Sequence, residues 1–358
     1  MPPPPDPLEE AESLLSLLSR ARAGDTAAFD QLVAHRRRQL HAHCYRMLGS
    51  PFDADDALQE TLLAAWRGLA GFESRSALGT WLYRIATHVC LRLISQRPRR
   101  ITSPDHGAPL LATAELGAPV AGPVWLEPLP DDDERHPQAL GIGTRAEDPA
   151  ATLQRREHVA LAFVAALQHL PGTQRAVLLL REVLEYSAAE TAEMLGTSVA
   201  SVNSALQRAQ KTVNERMPPA HSVQLLGAQP GNDEQVQQQL LLQRFVSAWE
   251  RRDIDAMASL LAEDARFTMP PLPAWFNGRR HALLFFAERV FQTAWRLQPL
   301  RGNGQPGFAC YMQQAGDDRF RPGGVVLLRL GGDGLIASID SFIDPAVCRR
   351  FGMAEEIF

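Results

Sequence analysis

The sequence predicts a multidomain protein: two all-α modules in the N-terminal two thirds of the chain, followed by an α+β domain. Three observations lead there. The chain has 358 residues, more than one compact core of ~100 to 200 residues accommodates. Helical spacing of apolar residues, punctuated by caps and a glycine turn, runs through two stretches before Arg216. Beyond a glutamine-rich run near Gln235, two helical segments give way to a series of short alternating strands.

Composition narrows the class. Hydrophobic residues make up 45% and charged residues 22%, which excludes wholesale disorder and a fibrous rod. No run approaches the ~20 apolar residues of a membrane span, and the start lacks a basic segment followed by an apolar one. A cytoplasmic protein that makes no membrane contact is expected. Cys44, Cys90, Cys310 and Cys348 are the four cysteines; they lie too far apart in sequence for a disulfide scaffold, and no C-x-x-C pair suggests zinc. No cofactor or metal site is expected, since His41, His43 and Cys44 fan around a basic helix.

The net charge of -5 hides an uneven distribution. Three windows contain no acid: Asp30 to Asp53, with His35, Arg36, Arg37, Arg38, His41, His43 and Arg46; Ser74 to Pro104; and Met194 to Asn214. Such windows suit phosphate binding. Between the first two, Asp53, Asp55, Asp56, Gln59 and Glu60 form an abrupt acidic cluster. In the second window Phe72 to Gly79 reads as a loop, and Thr80 opens a helix with Leu82, Ile85, Val89 and Leu93 as its apolar stripe. Arg84, His88 and Arg92 share another ridge of that helix at i, i+4 and i+8. A cationic ridge beside Trp81 and a loop suits a single-stranded nucleic acid, with cations tracking the backbone while a pocket or ring takes an unstacked base. Core packing is the alternative role for Trp81 and Tyr83.

The third window reads as a helix-turn-helix. Ser187-Ala-Ala-Glu190 is a capping box, Gly196 supplies a left-handed stop, Thr197 or Ser198 caps the next helix, and Val199, Val202 and Leu206 form its inner stripe. Ser201, Asn203, Ser204, Gln207, Arg208 and Lys211 then face outward, an array suited to base edges and phosphates.

These residues resemble a known family. Asp53-Ala-Asp55-Asp56-Ala-Leu-Gln59-Glu60, Phe72 to Thr80 and Trp81-Leu-Tyr-Arg-Ile-Ala-Thr87 are similar to region two of the extracytoplasmic-function class of bacterial sigma-70 factors. Leu170-Pro-Gly-Thr-Gln174-Arg175 through Lys211 resembles region four. The resemblance implies a promoter-specificity subunit, not an enzyme, whose partners are the clamp and flap of core RNA polymerase and promoter DNA. It implies minus-10 contacts from Arg75, Ser76, Thr80, Trp81, Arg84, His88 and Arg92. Minus-35 contacts would come from Ser201, Asn203, Ser204, Gln207, Arg208 and Lys211, and polymerase contacts from Asp53, Asp55, Asp56, Gln59 and Glu60. His88 stands where many relatives have asparagine, and Asn203 and Gln207 are uncharged where many carry arginine or an aromatic, so neither element preference carries over.

The expected domains are 8–100 (region two), 101–149 (linker), 150–216 (region four), 217–231 (linker) and 232–358. Nine prolines between Pro98 and Pro149, among Gly, Ala and Asp, predict a semi-extended first linker. Trp125 stands out in it as a residue that needs a surface, on this chain or on polymerase. From 232 onward, Leu240, Leu241, Phe245, Ala248 and Trp249 follow a helical period, and 253–261 is a second short helix. A weak strand follows over 265–269 and a helix over 279–291. Strands are expected over 294–300, 307–314, 325–330 and 335–342 in a curved antiparallel sheet, the last two joined at Gly331-Gly-Asp-Gly334. Trp249-Glu-x-x-Asp253, Leu261-Ala-Glu-Asp264-Ala, Met269-Pro-Pro271 and Trp275-x-x-Gly278-Arg279 resemble the SnoaL-like branch of the nuclear transport factor 2 superfamily, a pocketed cone. A sigma unit with such a tail resembles the group that includes mycobacterial sigma factor G. Asp264, Trp275, His281 and Asp340 are the candidate polar groups of the pocket, with a small molecule as a possible ligand. The expected role of the domain is regulation of the sigma unit. The alternatives are a ligand-binding or catalytic SnoaL-type module, or a stand-alone helix-turn-helix repressor.

Overall fold

The structure is a computed structural model that describes residues 7–72, 77–120, 122, 124–131, 160–216, 232–314, 316 and 318–358. The expected second linker, and the boundary at 149/150, lie outside the described residues. The described residues divide into two compact units, residues 7–97 with 170–210, and residues 98–131 with 160–169 and 211–358. No helix among the described residues is long and apolar enough to cross a membrane.

In the first unit, α1 (Pro7–Arg22), α2 (Thr26–Leu48), α3 (Pro51–Gly68) and α4 (Leu78–Gln96) form a bundle. Local chemistry sets their ends. Asp25 accepts from the Ala28 amide (3.0 Å), Gly49 closes α2 in the left-handed region (φ 73°), and Ser50 caps α3 with Pro51 in its first turn. Helix α2 packs against α1, α3, α4 and the second module, so every residue from Leu40 to Leu48 is buried. This corrects the expectation that the first acid-free window presents a phosphate-binding face: His41, His43 and Arg46 point into the bundle, and only the preceding turn carries exposed His35 and Arg36. His43 Nε2 lies 3.0 Å from Thr87 Oγ1, whose own proton goes to the Tyr83 carbonyl (2.7 Å). Nε2 therefore carries the imidazole proton and donates it. Burial, with Arg46 adding to it, lowers the His43 pKa to about 3.

The second module continues the first unit. After α5 (Ser103–His106) and α6 (Leu161–Gln168), which belong to the other unit, α7 (Gly172–Leu178) leads through a π-helical turn, Leu179–Val183, to α8 (Ala188–Leu195) and α9 (Val199–Arg216). Both halves of the expected capping box form: Ser187 Oγ accepts from Glu190 N (3.1 Å), and Glu190 accepts from Ser187 N (2.8 Å). Gly196 adopts φ 62° and Ser198 caps α9 through the Ser201 amide (3.2 Å). Val177, Ala192, Val202 and Ala205 form the small core shared by α7, α8 and α9. Val199 is 44% exposed and lies outside the stripe expected to bury it, because the helix begins there, ahead of the first turn that faces α8.

In the second unit, α10 (Asn232–Glu250) and α11 (Ile254–Leu260) precede β1 (Leu261–Thr268), β2 (Trp275–Asn277), α12 (Arg279–Glu288), β3 (Trp295–Gly302), β4 (Gln305–Gln313), β5 (Phe320–Leu330), β6 (Ile336–Phe342) and α13 (Pro345–Arg350). The sheet order is β2-β1-β6-β5-β4-β3. It is mixed rather than antiparallel as expected, since β1 and β6 run parallel, an arrangement that strand alternation alone does not distinguish. On one face, residues of α10, α11 and α12, Phe245, Trp249 and Phe286 among them, pack with Phe267, Phe276, Phe308 and Ile339 into an aromatic core. Leu240, expected in that stripe, is 54% exposed. On the other face Ala309, Tyr311 and Phe320 pack with Met353 and Ile357.

The largest departure concerns the expected linker. Residues 101–131 form a strap held on the C-terminal domain. Leu110 N donates to the Trp275 carbonyl (2.8 Å), Val120 N to the Pro271 carbonyl (3.0 Å), and Leu129 N to Asn303 Oδ1 (2.9 Å). Arg289 donates to the Thr113 carbonyl (2.7 Å), and Asp131 accepts from Gly304 N (2.8 Å). Gly117 (φ 77°) passes so close that a Cβ there would sit 2.9 Å from Pro273. Prolines keep the segment extended, and Leu110 and Leu116 supply apolar contacts with the aromatic core. Trp125 is 5% exposed, against His106 at 5.5 Å between rings, so it finds its surface within this unit.

Candidate nucleic-acid interface

Helix α4 separates two functions by face. Leu82, Tyr83, Ala86, Cys90 and Leu93 point into the bundle, while Arg84, His88 and Arg92 are exposed as one ridge. The buried stripe is turned from the expected one, because Ile85 and Val89 are only half-buried. Trp81 is half-buried, its ring 4.9 Å from that of Phe72 and close over Gly68. Thr80 is half-buried beside it; Arg75 and Ser76 lie outside the described residues. The ridge is not a row of independent cations: Arg92 pairs with Glu60, and His88 Nε2 lies 2.9 Å from the Met194 carbonyl.

The acidic cluster at the start of α3 divides in the same way. Asp56, Gln59 and Glu60 are exposed. Asp53 is buried and bonded to Arg97, and Asp55 lies 3.0 Å from His41 Nε2. The expectation that all five residues face a partner is therefore corrected: two of them hold α3 to α2 and to the end of α4. Their partners, Arg97 and His41, sit 44 and 14 positions away in sequence, too far for helical spacing to reveal.

On α9, Ser201, Asn203, Ser204, Gln207, Arg208 and Lys211 are all exposed, opposite the buried Val202, Ala205 and Ala209. The Ser201 hydroxyl is 3.0 Å from Ser198 Oγ, within the cap. Short polar groups near the N-terminus followed by cations match the order of base edges and phosphates along a groove.

Residues 32–100 match the Sigma-70 region 2 family, residues 160–213 Sigma-70 region 4, and residues 242–339 the SnoaL-like domain family. The chain is 39% identical over 349 residues to the ECF RNA polymerase sigma factor SigG of Mycobacterium tuberculosis, covering 94% of this chain and 86% of that protein. The chain belongs to the extracytoplasmic-function RNA polymerase sigma factors. It serves promoter recognition and transcription initiation. SigM of the same organism is 33% identical over 195 residues, which cover 54% of this sigma factor and 79% of SigM. A crystal structure of the M. tuberculosis extracytoplasmic function sigma factor SigJ shares the fold, at 21% identity and a TM-score of 0.55, covering 90% of this chain and 99% of that one.

Of the four residues expected to line a pocket in this sigma factor, Trp275 and Asp340 come together on either side of Thr268. Asp264 is exposed on β1. Register pairs Trp275 with Thr268, and Thr268 with Asp340, while their neighbours Phe276, Phe267 and Ile339 pair in the next row. Because side chains alternate across a sheet, Trp275 and Asp340 lie on the face opposite the aromatic core. Trp275 Nε1 donates to the Gly107 carbonyl of the strap (2.7 Å). Asp340 accepts from Thr268 Oγ1 (2.9 Å) and Ser338 Oγ (3.1 Å); burial raises its pKa, against those hydrogen bonds and nearby Arg329. His281 Nδ1 sits 2.9 Å from its own helix-start carbonyl, that of Asn277. Sequence reasoning also missed Arg175 and Tyr186. Arg175 is 3% exposed, donates to the Leu170 carbonyl (3.1 Å), and crosses to the Met47 carbonyl. Tyr186 lies immediately before a capping box, which was the one available signal.

Proposed function

We propose that this sigma factor reads the minus-35 element with the outer face of α9 and the single-stranded minus-10 element with the ridge of α4 and the adjoining loop from Phe72 to Thr80. The observation that carries this reading is the pair of exposed polar faces, on α4 and α9, each within an acid-free window. Exposed Asp56, Gln59 and Glu60 form the polymerase-clamp contact in this reading, and the second module meets the flap. Reversing Asp56 and Glu60 to arginine is expected to abolish co-purification with core polymerase while the helical content stays unchanged, because like charges across an interface cost several kcal/mol. Retained binding removes the docking role.

Residues 232–358, together with the strap, modulate the sigma unit rather than perform chemistry. The engagement of Trp275 by the strap, the local bond of His281 and the exposure of Asp264 support this, since acid–base work needs groups free to meet a substrate in one site. Such a domain shifts the arrangement of the modules only where it contacts one arrangement better than another. An activating or mixed role is favoured. Run-off transcription with core polymerase tests it: a chain ending at Arg216 should transcribe less than the full-length protein at some promoters. Equal transcription at all promoters and polymerase concentrations, with turnover of a small molecule by residues 232–358, would replace regulation with catalysis.

A further inference from the structure

The contacts between the two DNA-reading modules fall on the minus-10 side of α4. Tyr186 reaches it from the turn before α8. Its ring meets that of Tyr83 edge-on, with centroids 6.3 Å apart at 71°. Its hydroxyl lies beside the Thr80 side chain, with the Arg36 guanidinium nearby. Two helical turns on, along the same ridge, the Met194 carbonyl from the end of α8 takes His88 Nε2 at 2.9 Å. Behind these contacts Gly172 abuts Leu91 and Ile94, with room for no more than a tight Cβ contact (3.2 Å), and buried Arg175 donates to the Met47 carbonyl.

The backbone that presents Tyr186 is irregular. The π-helical turn Leu179–Val183 precedes it, Glu185 takes φ 58°, and Arg181 donates to the Tyr186 carbonyl. Single π-turns are found mostly at functional sites, and a non-glycine residue in the left-handed region persists only where the surroundings over-determine it. What the geometry accomplishes is the placement of Tyr186 on Thr80 and Tyr83.

We propose that the helix-turn-helix module acts as an autoinhibitory latch on region two, with Tyr186 and the Met194 carbonyl engaging Thr80 and His88 until single-stranded promoter DNA or core polymerase displaces them. The proposal rests on the assignment of α4 as the minus-10 surface. In the latched state Arg84 remains exposed while Thr80 and His88 are engaged, so the backbone-tracking cation is available before the base-reading groups are. A binding-competent state populated at one part in ten lowers apparent affinity tenfold, and removing the latch restores it.

The experiment uses the full chain. All four native cysteines are buried, so spin labels on Arg67→Cys and Glu193→Cys, both exposed positions, report the separation of the modules by pulsed dipolar spectroscopy. The expected result is one narrow distribution for the otherwise unaltered chain and a broader, longer one for Tyr186→Ala. In parallel, a mixed-sequence single-stranded oligodeoxynucleotide at low salt should bind about tenfold tighter to Tyr186→Ala and about threefold tighter to Tyr186→Phe, which keeps the ring and loses only the hydroxyl beside Thr80. Tyr186→Phe carries the test if the alanine variant loses helical content. Identical distance distributions, or equal affinities across the variants that retain helical content, overturn the latch. The distance measurement contains no DNA and is independent of the minus-10 assignment, which fails separately if Arg84→Ala in the Tyr186→Phe background leaves oligonucleotide affinity and its salt dependence unchanged.

Discussion

Along α9, Asn203, Ser204, Gln207 and Lys211 stand exposed over a small buried stripe of Val202, Ala205 and Ala209. Along α4, groups of comparable spacing are already engaged: Glu60 pairs with Arg92, Met194 meets His88, and Tyr186 holds Thr80. The inner faces differ as well. Helix α9 rests on aliphatic side chains, whereas α4 is tied to α2 through the polar chain His43–Thr87–Tyr83. Helical spacing defines which side chains can form a surface; packing decides whether that surface is available and what condition would release it.

Acid should separate the two helices most strongly. His43 has a folded pKa of about 3 against an ordinary value of 6.5, so the unfolded state binds the proton first as pH falls. The stability associated with neutral His43 is fully present above pH ~6.5 and declines by up to about 1.4 kcal/mol per pH unit below it, until pH ~3. Urea unfolding between pH 7.5 and 4.5 should show this loss, and His43→Gln should flatten it. An unchanged slope in the variant would mean that another group supplies the acid sensitivity.

The next effect comes from the joint between the modules. Arg175→Ala leaves the Met47 and Leu170 carbonyls without that donor, and hydrogen bonds to a charged group contribute about 1.5–3 kcal/mol each. A loss of about 3 kcal/mol in urea denaturation is expected, with hydrogen exchange rising at the end of α2 and the start of α7. A loss below about 1 kcal/mol would show that the guanidinium is dispensable.

On α9, Asn203→Ala and Arg208→Ala should each weaken binding to the selected minus-35 element by about 1–3 kcal/mol. Relaxed preference at one position is expected for Asn203, and uniform weakening for Arg208 if it meets phosphate. Quantitative binding after site selection distinguishes them, and neither effect would leave α9 a structural helix.

The smallest effect sharpens the contrast within α4. Arg84→Ala should lower the slope of log affinity against log salt by about one, while Arg92→Ala should do less because Glu60 already neutralises it. Glu60→Gln should then raise the contribution of Arg92, at a stability change within about 0.5 kcal/mol for so exposed a pair. Equal slopes for Arg84→Ala and Arg92→Ala would mean the ion pair opens on binding.

Features legible in the sequence were those set within a few residues. Ser187 and Glu190 close a cap across three positions, Gly196 needs only its own freedom at positive φ, and the glycine turn at 331–334 is bounded by the strands on either side. Helix and strand types along 240–342 followed from periods of 3.6 and 2, although β2 is three residues long, too short for a period to register, and α13 was missed. The strap is not legible in the sequence because prolines and glycines report that a segment forms no core of its own, and they are silent on whether it lies on a neighbouring one.

By itself, then, the sequence determined two helical modules, a helix-turn-helix with its exposed polar face, an α+β domain after it, and membership of the sigma-70 family. Tertiary structure alone decided that Asp53 and Asp55 serve Arg97 and His41, that Trp275 and Asp340 lie behind the aromatic core, that residues 101–131 strap the C-terminal domain, and that Tyr186 rests on Thr80. The reason is one of range. Caps, turns and periodicity are energies between residues a few positions apart, whereas these contacts join residues up to 176 positions apart, whose meeting depends on how whole apolar faces pack before any polar pair can form.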